Sequence, residues 1–415
     1  MQLTDEEKRM LAGDFGSTVK RAMEVLVKLG EIHDAPYMVE ITSAHIDGNI
    51  DKEHNQESIA FLEQLAADNI RVRTFTTLNT IGLDRLKYHE LGFNDAHFEN
   101  QFRLNKAFEG MGCLGVYSCT PYYASNLPRF GEHVAWSESS TPPFVNAVLG
   151  ARTSREAGAS ALMAAITGRT PYYSYHVPHN RLGQALIKVD CPMRGIADYG
   201  LLGYYVGSRV KTSVPVFNGL SEPSRDELIY LGAAMATSGP VAMYHIPGVT
   251  PEARDLDEAF GSNEPELVIH VDRKALQEPL DYLNDMPVGP VEFVAMGCPH
   301  YSLRQIERLA GLLEGKRIHK DVTLWIHTSE PIRYMAQRLG FDKIIAKAGG
   351  LLTADICTIC TPLEKLGFRT VVTDSVKQAF YCHLFNNFTT AVETMENVVN
   401  IAIAGVWEGK RYNGE

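Results

Sequence analysis

Among the 415 residues of this chain, the side chains with most chemistry to offer are the thiols of Cys119, Cys298 and Cys357. The sequence pattern puts each at the end of a strand or the start of a helix, and threonine or proline follows closely. Exposed backbone N–H groups and helix N-termini at such positions favour the thiolate. Three thiolates converging from separate loops would hold an iron-sulfur cluster with one iron open, able to act as a Lewis acid on a substrate oxygen. A mononuclear iron on the same thiols is a variant, and nuclearity is not readable from spacing. Cys360 competes for a place, because Cys357-Thr358-Ile359-Cys360 forms a C-x-x-C. That pair could instead serve redox chemistry or zinc, although a C-x-x-C without a second pair is a weak zinc signature.

Polar residues near predicted strand ends supply the rest of a candidate site. Lys377 follows Ser375 where a loop enters a helix, so its ammonium could reach an anion, or it could be a solvated surface lysine. Arg152 and Arg155, three apart in an expected helical run, would share a face and fork a carboxylate or phosphate, or pair with Glu138 and Glu156. His45 could orient a substrate or give a proton, or be satisfied by backbone in a loop. His300 is a further candidate for positive charge. Ser43, Thr76, Thr77 and Asn79 offer neutral groups of the kind that bind substrate oxygens.

Alternating helix and strand signals must position these residues. Residues 4 to 30 read as one helix, with Leu11, Phe15, Val19, Ala22, Leu26 and Leu29 on one stripe. Helices are expected at Ser58 to Asp68, Phe98 to Met111, Arg225 to Thr237, Ser302 to Leu313 and Pro331 to Leu339. Strands are expected at Tyr37 to Ile41, Arg71 to Thr76, Gly115 to Ser118, Val241 to Tyr244, Leu267 to Val271, Val291 to Ala295, Val322 to His327 and Thr370 to Thr373. Such alternation predicts an α/β fold of parallel sheets covered by helices, with ligands at the carboxyl ends of the strands. The turn-rich stretch Asn218 to Ser224 divides an N-terminal α/β region, 1–218, from a C-terminal one, 219–415.

Composition excludes several function classes. The net charge of -11 and the 21% of charged residues describe an acidic chain without a basic block, so nucleic acid is not an expected partner. No apolar run approaches the roughly 20 residues needed to cross a bilayer. The N-terminus reads as a capped helix and not a signal peptide, so a cytoplasmic location is expected. Seven scattered cysteines are no disulfide framework.

Several strings resemble the large subunit of the aconitase X family. They are Cys119-Thr120-Pro121-Tyr122, the run from Gly131 through Trp136 to Ser140, the run from Asn146 through Arg152 to Glu156, Ser43-Ala44-His45-Ile46, Gly168-Arg169-Thr170-Pro171, Gly297-Cys298-Pro299-His300 and Asp374-Ser375-Val376-Lys377. The resemblance spans nearly the whole chain. It implies an aconitase-like fold, several α/β/α domains around a central iron site, without the small swivel domain. In two-subunit members that domain is a separate polypeptide carrying a catalytic serine.

The resemblance also implies Cys119, Cys298 and Cys357 as metal ligands. Here the family's usual D-T-C reads Asp355-Ile356-Cys357, and Cys360 stands close by. In ordinary aconitases a cysteine is followed by a C-x-x-C pair, which makes Cys298, Cys357 and Cys360 the alternative set. The implied reaction is dehydration of a small 3-hydroxy acid. Iron would take the leaving hydroxyl, the partner's serine would take the proton, and Lys377, His45, His300, Arg152 and Arg155 would supply charge and donors. The Arg-rich run favours mevalonate 5-phosphate, giving anhydromevalonate phosphate, over cis-3-hydroxy-L-proline. A non-catalytic scaffold subunit, which would be colourless, is the alternative of another class.

Overall fold

The computed structural model describes residues 1–48 and 56–409. Among the described residues three parallel sheets carry the fold, with helices packed on them, beside two small antiparallel pairings, Met38–Glu40 with Arg169–Pro171 and Gly289–Pro290 with Val406–Trp407. The first places Ser43–Ile46 between Phe75–Leu78 and Val134–Trp136. In the second, Ala185–Val189 lies between Pro215–Asn218 and Leu267–Val271. The third has five strands in the order Gly350–Ala354, Thr323–Thr328, Phe293–Met296, Thr370–Thr373 and Thr389–Val392. The expected α/β class and parallel sheets are present.

The central strands Ser43–Ile46 and Phe293–Met296 are buried along their whole length, as strands covered on both faces must be. Side chains alternate across the sheet. Phe293 and Ala295 join Ala44, Ile46 and Leu78 in one apolar core, while Val294 and Met296 join Trp136 and Phe144 in another. The first and third sheets are therefore held by shared cores. Burying each large apolar side chain contributes about 1.5–3 kcal/mol, so the seam between these sheets is a rigid place for a site. The helix Val376–Asn386 ties in the second sheet, whose core takes Val376 and Ala379.

Several expected elements differ. The single helix over 4–30 is two, Asp5–Ala12 and Ser17–Ile32, because Gly13 and Gly16 adopt φ of 95° and 98° and turn the chain between them. The strand expected at Arg71 to Thr76 forms at Phe75–Leu78. Gly115 to Ser118 forms no strand; only neighbouring Leu114 bridges to Thr77, and Tyr117 at φ 45° takes the chain away from strand geometry. Val241 to Tyr244 lacks ladder pairing, which is confined to His245 opposite Val216. Arg152 and Arg155 are not helical: their segment runs extended, bridged at Arg152 to His133 and at Glu156 to Ser137, and the helix begins at Gly158. The second sheet spans residues 185 to 271 and so contains the expected junction at 218/219. Among the described residues no helix is long and apolar enough to cross a membrane.

Candidate active site

The carboxyl ends of the first and third sheets open on one cavity of about 280 Å³. Asp47, Asn79 and Glu138 come from loops after the three strands of the first sheet. Cys298 and His300 follow the strand Phe293–Met296, Cys357 and Cys360 follow Gly350–Ala354, and Lys377 follows Thr370–Thr373. Cys119 completes the set from the segment beside the first sheet. The convergence obeys the rule for ligands of parallel sheets. Tyr381 and Phe385, stacked with ring centroids 5.5 Å apart, line the same cavity, and Phe385 is 57% exposed.

Local geometry delivers each thiol. A Cβ on Gly297, at φ 93°, would lie 2.3 Å from the His327 carbonyl oxygen, so only glycine lets the strand end turn here and present Cys298. The Ser375 hydroxyl donates to the Cys298 carbonyl, tying that loop to the one carrying Lys377. The backbone N–H of His300 donates to Cys119 Sγ at 3.2 Å. Strand-end settings do not favour all three thiolates alike. Burial pushes the Cys119 thiol up to about 12 and raises that of Cys298 well above its usual value. Cys357 comes down to about 7, first because Cys360 donates a hydrogen bond to it. Among the described residues, no three Cys, His, Asp or Glu side chains gather closely enough to ligate one ion, so a bound group would have to bridge the thiols or draw them in.

Lys377 is buried, not solvated. Its ammonium donates to Glu138 and, at 3.2 Å, to Ser140 Oγ, leaving one of three N–H groups for a ligand. Burial, the largest single influence, opposes the charge on Lys377, but the Glu138 carboxylate together with Cys298 and Cys119 outweighs it and holds the ammonium well above its ordinary value. Burial likewise penalises Glu138, yet Lys377 and the hydrogen bonds from Ser140 bring it down to about 2. Glu138 also accepts from the N–H of Thr141 and from Ser139 Oγ, and its φ is 82°, a conformation that side-chain-bearing residues seldom adopt.

The two cavity histidines are neutral braces. His300 Nε2 lies 3.0 Å from the Ile356 carbonyl oxygen, which can only accept, so that nitrogen carries the proton and Nδ1 accepts from Ser118 Oγ at 3.1 Å. Burial pushes its pKa down to about 4. His327 is arranged in reverse: Nδ1 donates to Thr353 Oγ1 at 2.7 Å, and Nε2 accepts from the Thr358 hydroxyl at 2.5 Å. Together they steady both sides of Cys357. Among the described residues lining the cavity, Lys377 is the only full positive charge.

Other residues singled out from the sequence scatter. Asn79 lines the cavity. His45 lies beneath it, Nδ1 2.9 Å from Thr77 Oγ1, and burial pushes it down to about 4. His45 and Thr77 sit inside strands, not beyond their ends. Thr76 Oγ1 donates to the Thr74 carbonyl, and Ser43 Oγ accepts from the Trp136 indole at 3.1 Å, so neither faces the cavity. Arg152 pairs with His133 at the amino end of the first sheet, opposite the cavity, and Arg155 is exposed with Nη1 3.5 Å from the Gly239 carbonyl. In an extended segment two positions three apart point to opposite faces, so the expected fork does not form. Their expected partners are engaged elsewhere: Glu138 by Lys377, Glu156 by Ser154 and Ser160. Sequence reasoning named Glu138 only as a partner for those arginines and missed His327, Asp47 and Asn126, whose amide donates to Thr77 Oγ1.

Known proteins resemble this chain over most of its length. Family models described as aconitase X first, second and third domain match residues 1–179, 183–281 and 291–404. The phosphomevalonate dehydratase large subunit of Methanocaldococcus jannaschii is 41% identical over 393 residues, covering 93% of this chain and 96% of that one. Its counterpart in Thermococcus kodakarensis is 36% identical over 97% of this chain and 100% of its own length. The cis-3-hydroxy-L-proline dehydratase of Pseudomonas aeruginosa is 34% identical over 90% of this chain, which spans 65% of that protein. The crystal structure of Thermococcus kodakaraensis aconitase X in its holo-form superposes with a TM-score of 0.89 at 35% identity, over 97% of this chain and 100% of that one.

Proposed function

Because the chain belongs to the aconitase X family, we propose that it is the large subunit of a hydro-lyase that removes water from mevalonate 5-phosphate. The observation that carries this reading is the meeting of Cys119, Cys298 and Cys357 with a buried lysine where two parallel sheets end. Dehydration breaks a C–O and a neighbouring C–H bond, forms a C=C bond and releases water. An iron-containing group held by these thiols would supply Lewis acidity at the leaving hydroxyl. The donor set suits iron, with Cys119, Cys298 and Cys357 as the ligands and Cys360, which lines the same cavity beside Cys357, as the alternative third one. The spare N–H of Lys377 binds the substrate carboxylate, with Asn79 as a neutral donor, while His300 and His327 hold the Cys357 loop in register.

Proton removal from carbon belongs to a small partner subunit that brings a swivel domain and a serine. The large-subunit relatives match this chain nearly end to end, whereas the hydroxyproline dehydratases extend well beyond it. That subunit would also cover the exposed rim at Phe385.

A second reading, dehydration of cis-3-hydroxy-L-proline, gains from one finding: Arg152 and Arg155 lie away from the cavity, so the charge argument for a phosphate no longer separates the two. Identity to the phosphomevalonate enzymes keeps the first ahead. The anaerobically purified two-subunit complex should convert mevalonate 5-phosphate with release of water. Turnover of cis-3-hydroxy-L-proline alone would transfer the assignment to the second substrate.

A further inference from the structure

Two residues with left-handed backbone stand at the same offset from two of the thiols, the bulky Tyr117 under strain and Asp355 of a type that adopts this conformation more readily. Tyr117, at φ 45°, lies two residues before Cys119, and Asp355, at φ 68°, lies two residues before Cys357. Both are buried. A left-handed conformation is costly for a bulky side chain and persists only where the surroundings over-determine it. One side chain touches both residues. Arg85 Nε donates to Asp355 Oδ2 at 2.9 Å, its guanidinium lies 4.2 Å from the centre of the Tyr117 ring, and Nη2 donates to the Gly115 carbonyl at 3.4 Å.

The neighbourhood is built around that contact. Gly115 leaves room for the Tyr117 ring, whose nearest carbon would be 2.5 Å from a Cβ there, and the Tyr117 hydroxyl is fixed to Glu109 Oε1 at 2.8 Å. The segment bearing Arg85 also grips the other loop directly. Ile81 N–H donates to the Asp355 carbonyl at 2.9 Å, Cys357 N–H donates to the Ile81 carbonyl at 2.6 Å, and Thr361 Oγ1 donates to the Gly82 carbonyl at 3.0 Å.

We propose that Arg85 is a positioning residue that sets the separation of Cys119 and Cys357 across the seam between the first and third sheets. The proposal rests on the reading of these thiols as iron ligands. An ordinary surface ion pair would place no demand on geometry; here a planar cation spans a buried carboxylate and an aromatic face, which a lysine cannot do in one pose. Arg85 reaches the metal group only through the two loops, as residues that orient ligands do.

Arg85→Gln and Arg85→Lys test this in the two-subunit complex. Two readouts apply: loss of iron to a chelator, and, in iron-free protein, the yield of Cys119–Cys357 cross-link formed by a short bifunctional thiol reagent. Arg85→Gln should speed iron loss about 10- to 100-fold, the range for groups that orient metal ligands, and change the cross-link yield, with Arg85→Lys intermediate. If the glutamine variant does not fold, the lysine variant carries the test. A lowered melting temperature with iron retention and cross-linking unchanged would overturn the proposal. Wild-type complex that takes up no iron would instead defeat the ligand reading, and the cross-link would still decide the role of Arg85.

Discussion

At the scale of single residues, the site turns on the buried pair Lys377–Glu138, whose side chains are 6% and 7% exposed. Removing one member of such a pair strands the other charge and costs about 3–5 kcal/mol. Lys377→Met should therefore both destabilise the chain and lower kcat/KM roughly 100- to 1,000-fold, read by thermal melting and steady-state kinetics with mevalonate 5-phosphate. Glu138 carries a pH signature. Its pKa lies at about 2 in place of 4.5. Stability from a depressed carboxylate is fully present above the ordinary value and is lost as pH falls through the folded one. The melting-temperature gap between wild type and Glu138→Gln should be largest near neutrality and close as pH drops from 4.5 towards 2. A gap that does not narrow would show that the glutamine is felt through packing and not through charge.

At the scale of elements, the strand ends do the positioning, and Gly297 is the most exposed to test. Its φ of 93° and the His327 carbonyl beside it leave no room for a methyl group. Gly297→Ala should cost on the order of 1–3 kcal/mol, seen as a lower melting temperature together with weakened iron retention as Cys298 is displaced. This loop was legible in the sequence because an apolar run, a glycine and a cysteine follow one another; the strand Gly350–Ala354 that leads to Cys357 is not among the expected ones. Lys377 was legible as a residue but not as a pair, since Glu138 lies far away in sequence and its partner is chosen by the packing of two sheets. The spacing of Arg152 and Arg155 suits a helix, yet their segment pairs in extended form with His133 and Ser137, a choice made by residues outside the segment. Tyr117 gave no signal at all: φ is set by what the ring must touch, Arg85 and Glu109, and neither contact is local in the chain.

At the scale of the molecule, three sheets arranged around one seam explain why the chemistry gathers where it does. The family models bracket the second sheet as a unit of its own, between residues 183 and 281. The cavity is built by the first and third sheets, and the second buttresses it through the helix that begins just before Lys377. Arg152 and Arg155 belong to the outer reach of this arrangement, so Arg152→Ala and Arg155→Ala should leave KM for mevalonate 5-phosphate within about twofold, as for substitutions away from a site; a larger rise would put the phosphate near them after all. The central claim is that Cys119, Cys298 and Cys357 hold an iron-containing group. It is tested most directly by the iron content and visible absorption of the anaerobically purified protein, measured beside Cys119→Ala, Cys298→Ala, Cys357→Ala and Cys360→Ala. The account predicts stoichiometric iron and a visible band in wild type, both lost in the first three variants and kept in Cys360→Ala. Retention of iron and band in Cys119→Ala with loss in Cys360→Ala, or a colourless wild type holding zinc, would contradict it.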